Sequence, residues 1–339
     1  MQRAARSALL CAALALAAPA HAQDAERAFF SGKTVRLVVG YGPGGGYDVY
    51  ARMIAPYLTR TLGASVVVEN QPGAGGFVAL NRLSTAPPDG LAMMLVNGTG
   101  AALGELTEQP GVRFDLAQFG YLGTVSASPW MWLVGPNFPI RTPQDALKLG
   151  RKLNWAAGGP VDGLSDGAAF TCAALGLDCH VVLGYAGSNQ AALAVTQGEM
   201  DAIYVSDTSA NNYVSSGQQR VIAAMGRRRS RFFPDSPTIF EALTLTAGQQ
   251  WLFDFRSKLE DLGRILLVPP AMPPARLAYL QAAVKATLSD PVLLAEGEKS
   301  QRYIDYLDAA TTRKNAQDVV SDITPEQRKR VQDIISKAR

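Results

Sequence analysis

Short β-branched runs alternate with amphipathic stretches of helical length, the pattern of parallel α/β layers. In the first half the runs are TVRLVV (34–39), SVVVE (65–69), LAMMLV (91–96) and YLGTV (121–125), with helices predicted at about 47–62 and 76–85. Val49, Met53, Ile54, Tyr57, Leu58 and Leu62 give the first helix its three- and four-residue spacing. After Pro129 a second set begins: WMWLV (130–134), LNWAA (153–157), HVVLGY (180–185), DAIYV (201–205) and RVIAAM (220–225). Helices at about 143–151, 164–176 and 188–197 separate these. Two successive α/β sets predict two lobes with a cleft between them and a crossover near VSASP (125–129). In the tail, GRILLVPPAMPPARL reads as a strand, a proline-rich turn and the start of a helix with Leu277, Leu280, Ala283, Val284 and Leu288 on one face. Thr324-Pro325-Glu326-Gln327 reads as a capping box with proline at the first helical position. This mostly helical tail is expected to pack back onto the first lobe. No tandem repeat stands out.

The N-terminus changes where such a fold would work. Arg3 and Arg6 precede an apolar run at 8–18, and Ala20-His21-Ala22 has the form of a cleavage site. Residues 1–22 therefore read as a secretory signal peptide, too short to span a membrane. Leu10 before Cys11 is not the small residue a lipoprotein signal requires. The mature chain would start at Gln23 in a bacterial periplasm, 317 of the 339 residues. It would carry 30 basic against 29 acidic residues, since Arg3 and Arg6 leave with the signal. Nucleic acid binding needs a concentrated basic footprint, and only Arg227-Arg228-Arg229 with Arg231 approaches one. A solvated loop explains that cluster. No later apolar run reaches the ~18 residues of a transmembrane helix.

Catalytic chemistry is poorly supplied. His180 is the mature chain's single histidine, so nucleophilic triads and the usual zinc sites would all depend on it. Cys172 and Cys179 are the remaining cysteines. In an oxidising compartment they can form a disulfide pinning a helix end to the next strand, or stay as two buried thiols. Neither a metal nor a cofactor is expected.

The glycines carry more. In VVGYGPGGGYDVYARMIA (38–55), four glycines within five residues separate a strand from a helix. Consecutive backbone N–H groups there can converge on an anion, helped by the positive end of the helix dipole. No P-loop is present, because the motif ends Gly46-Tyr47-Asp48 without lysine. A dinucleotide fingerprint fails at Tyr47, where its third glycine belongs, although Glu69 stands where a ribose-binding acid would. Asp48 is either a first-turn helix residue or faces a ligand amine or water. ENQPGAGGFVAL (69–80) repeats the arrangement after the next strand, and loops after neighbouring parallel strands emerge on one edge. In the second lobe, WAAGGPVDGLSDGAAF (155–170), GYAGSNQ (184–190) and Asp207 end strands toward the same edge. Each could be ordinary helix capping, Ser165 most simply. Tyr41, Tyr47, Trp130 and Trp155 could line a pocket with aromatic rings, though strand tryptophans usually serve a core.

At these motifs the sequence resembles the substrate-binding proteins of tripartite tricarboxylate transporters, the Bug family of extracytoplasmic receptors. VRLVVGYGPGGGYDVYARMIA, VVVENQPGAGGFVALNRLSTAPPDG, GYAGSNQAALAVTQGEMDAI and RRRSRFFPDSPTIFEAL carry the resemblance over about residues 30–300. It implies an α/β, two-lobe fold like type II periplasmic binding proteins, each lobe a mainly parallel sheet flanked by helices. Lobe 1 would comprise 29–126 and 263–339, and lobe 2 127–262. The resemblance also implies a monomer that captures a small organic carboxylate and delivers it to membrane permease subunits. Tyr41, Gly44, Gly45, Gly46, Tyr47 and Asp48 with Ala74, Gly75 and Gly76 would hold one carboxylate through backbone amides and ordered waters. Ala157, Gly158, Ser165, Asp166, Tyr185, Gly187, Ser188 and Asp207 would read the rest of the ligand. Two departures stand out: Ala156-Ala157-Gly158-Gly159 replaces a Ser-x-Gly-x-Gly pattern, with Asp166 near the place of a histidine, and QQWLFDFRSKLEDL adds a helix before the last crossover strand. An acid at 166 would disfavour a second carboxylate and favour an amine or hydroxyl. The alternatives are an exported enzyme using Asp48, Asp166 or Asp207 as a base, or a sensor serving a histidine kinase.

Overall fold

A computed structural model of the chain describes residues 23–159, 162–321 and 323–337. The expected signal peptide lies outside the described residues. Among the described residues ten strands form: β1 (Thr34–Val39), β2 (Ser65–Asn70), β3 (Ala92–Asn97), β4 (Gly120–Ser126), β5 (Trp130–Val134), β6 (Leu153–Ala156), β7 (Cys179–Val182), β8 (Ala202–Ser206), β9 (Arg220–Ala224) and β10 (Arg264–Val268). They make two five-stranded sheets, ordered β2-β1-β3-β10-β4 and β7-β6-β8-β5-β9. In the first, β1 runs parallel to β2 and β3, while β10 is antiparallel to both its neighbours. In the second, β6 runs parallel to β7 and β8, while β5 is antiparallel to both of its own. The two sheets share one plan, although no sequence repeat betrays it. Each takes its antiparallel strand directly after a crossing of the chain between lobes.

In the first sheet β1, β2 and β3 are each followed by a helix, and in the second β6, β7 and β8 are. These are α1 (Gly46–Leu62), α2 (Phe77–Ser84) and α3 (Gly98–Leu106), then α4 (Gly163–Leu175), α5 (Ser188–Thr196) and α6 (Asp207–Ser215). The polar and glycine-rich segments of α3 and α6 escape the hydrophobic pattern. Gly104 shows why glycine suits α3: a Cβ there would lie 2.5 Å from the Phe77 ring. The helix expected at 143–151 shrinks to one turn at Pro143–Ala146, with Gly150 following at φ +68°. Strand β3 is buried at every position, as a strand covered on both faces should be.

The tail comprises α7 (Ala247–Glu260), then β10, α8 (Pro274–Leu288), α9 (Pro291–Lys299), α10 (Ala309–Ser321) and α11 (Pro325–Lys337). Helices α8 and α10 pack against α1 and β4 of the first sheet. The last helix does not. Thr324 and Gln327 form the capping box, and α11 then lies against α4 of the second lobe, burying Val331, Ile334 and Ile335. Its apolar stripe is covered by the same cluster that holds Phe170, Leu252, Phe253 and Leu103. Behind the cleft the two lobes share this one apolar core.

Cys172 near the end of α4 is bonded to Cys179 at the start of β7. His180 is exposed on that edge strand.

Candidate functional site

Loops leaving the C-terminal ends of β1, β2, β6, β7 and β8 enclose a cavity of about 650 Å³ between the lobes. This is where open α/β sheets place ligands. Helices α1, α5 and α6 begin at Gly45, Gly187 and Ser206, and none has a side-chain cap. Their first-turn N–H groups have no acceptor within the helix and point out of its N-terminus. Gly45, Gly187 and Ser206 all line the cavity. The N-termini of α1 and α5, one from each lobe, thus offer amides and positive dipole ends to the same space, while α6 adds its dipole end, its Asp207 amide already donating to the Pro129 carbonyl at 2.9 Å. Two other helices are capped: Asn97 accepts from Gly100, and Asp162 accepts from Leu164 and Ser165.

The second glycine loop forms a 3₁₀ turn, Ala74–Gly76. Gly75 has φ +66° and Gly76 φ +99°, conformations that favour glycine. Gly76 packs against Gly40, where a Cβ would lie 2.7 Å from the Gly76 Cα. Tyr41 ties the two loops together by donating from Oη to the Gly75 carbonyl at 2.9 Å, while its Oη accepts from Asn97 Nδ2 at 3.1 Å. Its ring stacks on Tyr47 at 4.8 Å. Burial lifts the Tyr41 phenol well above its ordinary range and the Tyr47 phenol up to about 12. Both are neutral hydroxyls at physiological pH. Trp130, stacked on Tyr204 at 5.4 Å, forms the facing wall. Trp155 is fully buried in the core instead.

The rims of the lobes touch. Asn189 donates to the Gly44 carbonyl at 3.2 Å, a Cβ on Gly159 would lie 3.3 Å from the Gly75 nitrogen, and Arg231 pairs with Asp305 at 3.1 Å.

Two charged side chains line the cavity among the described residues, Asp162 and Arg264. Asp162 is buried, and its oxygens accept from the amides of Gly159 (2.7 Å), Leu164 (3.1 Å) and Ser165 (2.9 Å). Burial raises its pKa against the pull of those bonds. Arg264 opens β10 directly after the second crossing between lobes. Its Nη1 donates to Ser126 Oγ at 3.1 Å and its Nη2 to Ser206 Oγ at 3.5 Å.

The family described as the tripartite tricarboxylate transporter family receptor matches residues 50–338. The chain belongs to that family. A UPF0065 protein of Bordetella pertussis is 27% identical over 289 residues, covering 84% of this chain and 83% of its own. MatC from Rhodopseudomonas palustris, solved with bound malate, superposes with a TM-score of 0.74 at 22% identity, covering 89% of this chain and 99% of MatC. An R. palustris protein with adipate gives 0.73 at 18% identity, covering 90% of this chain and 97% of its own. The fold is that of periplasmic binding proteins, and the chain is a solute-binding receptor of this family.

Of the residues expected at the receptor's site, Tyr41, Gly45, Gly46, Tyr47, Ala74, Gly75, Gly158, Tyr185, Gly187 and Ser188 line the cavity. Gly44 sits at the rim, its N–H donating to Asp48 Oδ2. Gly76, Ala157 and Ser165 lie behind the wall; Ser165 binds the Asp162 carbonyl, so capping accounts for it. Three acids lie away from the cavity lining. Asp48 is buried under its own loop, bonded to Arg52, Asn70 and Gly44; these outweigh burial and hold its carboxyl below the ordinary value. Asp207 is buried against Ser230, and burial raises its pKa. Asp166 is fully buried and paired with Arg256, whose Nε and Nη2 reach Oδ1 at 3.0 and 2.7 Å. Arg256 comes from α7, the helix that the sequence showed as an addition. A desolvated carboxylate takes its counter-charge from that helix rather than from solute. Sequence reasoning gave no role to Asn97, Asn189, Ser206, Ser209 or Arg264, which all line the cavity, and placed Asp162 only within a contributing stretch, 157–166. For Arg264 a signal existed: a cation heading the otherwise apolar run RILLV, which is buried throughout.

Proposed function

We propose that this receptor captures a small carboxylate-bearing metabolite between its lobes and delivers it to the membrane permease subunits of a tripartite transporter. It works in the periplasm as a monomer, after residues 1–22 are removed. The observation that carries this reading is the convergence of uncapped helix N-termini from both lobes on one cavity. An anion there gathers amides from the two lobes at once, so it favours the closed arrangement by differential contacts. The malate and adipate held by proteins of the same fold are carboxylates of a size such a cavity accepts. The carboxylate on Ala74 to Gly76 and Tyr41 to Tyr47, and the readout by Gly158 and Tyr185 to Ser188, belong to this proposal.

The enzyme alternative loses its bases. Asp48, Asp166 and Asp207 are each tied to protein partners outside the cavity wall, and Asp162 is committed to three backbone amides. His180 lies on the far edge of the second sheet. The reading is therefore non-catalytic.

The test is a thermal-shift panel on protein stripped of solute by unfolding and refolding, with malate, succinate, adipate and benzoate beside their amides. A ligand at 100 times its Kd adds about 2.7 kcal/mol, roughly several degrees for a chain of this size. A rise with an acid and none with its amide is expected. Turnover of the bound acid, or equal rises with acid and amide, would sink the reading.

A further inference from the structure

Arg264 is 6% exposed, lines the cavity, and has no carboxylate within ion-pair distance among the described residues. Its Nε has no hydrogen-bond partner, and two serine hydroxyls are all that its remaining nitrogens reach. The other buried arginine among the described residues, Arg256, also has one nitrogen without a hydrogen bond, but it is faced by the carboxylates of Asp166 and Glu260. A buried guanidinium left without a counter-ion is costly, because desolvation is not offset by attraction. The surroundings hold it in place regardless. The rings of Tyr47 and Tyr50 lie 5.2 and 4.4 Å from its Cζ, and Gly46 leaves room for Nη2, which would be 3.2 Å from a Cβ there.

We propose that Arg264 supplies the counter-charge for the solute, holding a carboxylate by charge-assisted hydrogen bonds where the N-termini of α1 and α6 meet. This rests on the carboxylate-receptor reading and sharpens it. Amide dipoles and helix ends stabilise an anion without a formal charge; here a full positive charge with a planar fork joins them, matched to two carboxylate oxygens. Ser206 of the second lobe and Ser126 of the first orient the fork from opposite sides of the crossing. An anion on Arg264 therefore engages both lobes beside the point where the chain passes between them, where Gly263 is pressed against Ser126.

The experiment is calorimetric titration of refolded protein with malate, succinate and adipate, run on the wild type, Arg264→Met, Arg264→Lys and Gly46→Val, with ligand-free melting curves for each. Arg264→Met should weaken the best acid at least about 30-fold, the effect of removing one partner of a buried charge pair. Arg264→Lys should recover part of that loss, since it keeps the charge and loses the fork. The ligand-free melting temperature of Arg264→Met should not fall, which separates a binding role from a structural one. Gly46→Val keeps the guanidinium but crowds Nη2, and should cost about tenfold; it decides the matter if Arg264→Met does not fold. Acid binding within about threefold of wild type in the folded Arg264→Met, or in Gly46→Val if that variant alone folds, overturns this proposal and leaves the receptor reading standing. A wild type that binds none of the acids removes both.

Discussion

Arg256 and Arg264 stand on opposite sides of the cleft and look alike at first. Each is buried, at 1% and 6% exposure, and each lies over two aromatic rings, Trp130 and Tyr204 for the first, Tyr47 and Tyr50 for the second. What differs is the counter-charge. Arg256 has Asp166 at 2.7 Å and Glu260 at 3.4 Å, while Arg264 has only hydroxyls. The first is a closed electrostatic unit behind the cavity wall. The second is an open one on the wall itself. Burial and cation–π stacking thus do not separate a structural arginine from a binding one; the inventory of neighbouring carboxylates does.

Breaking the closed unit should have the largest effect. Arg256→Met strands two buried carboxylates, and such losses cost about 3–5 kcal/mol. For this chain that is a fall of roughly 6–15 °C in melting temperature, measurable by calorimetry. A fall under about 2 °C would mean that the pairing in α7 and α4 contributes little. The open unit can be closed by design. Ser206→Asp sets a carboxylate where a hydroxyl now lies 3.5 Å from Nη2, at a helix N-cap that welcomes aspartate. Acid binding should drop at least about tenfold, since the anion site is then filled from within. The ligand-free protein should melt no lower than wild type, by about 1 kcal/mol of added pairing at most. Retained affinity would show that the solute never uses Arg264.

Most of the fold was legible because its strands are short, β-branched and buried, so that hydrophobic runs and strands coincide; β1 and β5 begin and end where the pattern placed them. The helices α3 and α6 were not, since GTGAALGEL and DTSANNYVS are helical through tertiary packing rather than propensity. At the site, backbone-driven features were readable. Glycines between a strand and a helix report a local requirement, and Gly45, Gly46 and Gly75 do line the cavity. Long-range pairing was not readable. Asp166 and Arg256 are 90 residues apart, so nothing local revealed that the acid was already neutralised. Arg264 was missed for the reciprocal reason: a cation is informative only once its missing partner is known.

The closed unit should also leave a mark on pH dependence, and the open one should not. Burial lifts Asp166 to about 7 and Glu260 to about 7, against the pull of Arg256 on each. An unfolded carboxyl titrates near 4. The native state therefore binds these protons more tightly than the unfolded state, and stability falls wherever the unfolded chain holds fewer protons. This contribution is whole below about pH 4 and is lost as the pH rises through 7. Asp48, held low by Arg52, Gly44 and Asn70, acts in the opposite sense and only in acid, so it does not interfere. Between pH 6 and 8 the ligand-free protein should lose about 3 kcal/mol from the two carboxyls together, a fall of roughly 5–10 °C in melting temperature. Glu260→Gln should flatten that slope, because it removes one titrating carboxyl and leaves Asp166 with Arg256 to itself. Arg264→Met should leave the slope unchanged, since no carboxyl is paired with that arginine. A slope that flattens in Arg264→Met and persists in Glu260→Gln would reverse the assignment of the two arginines.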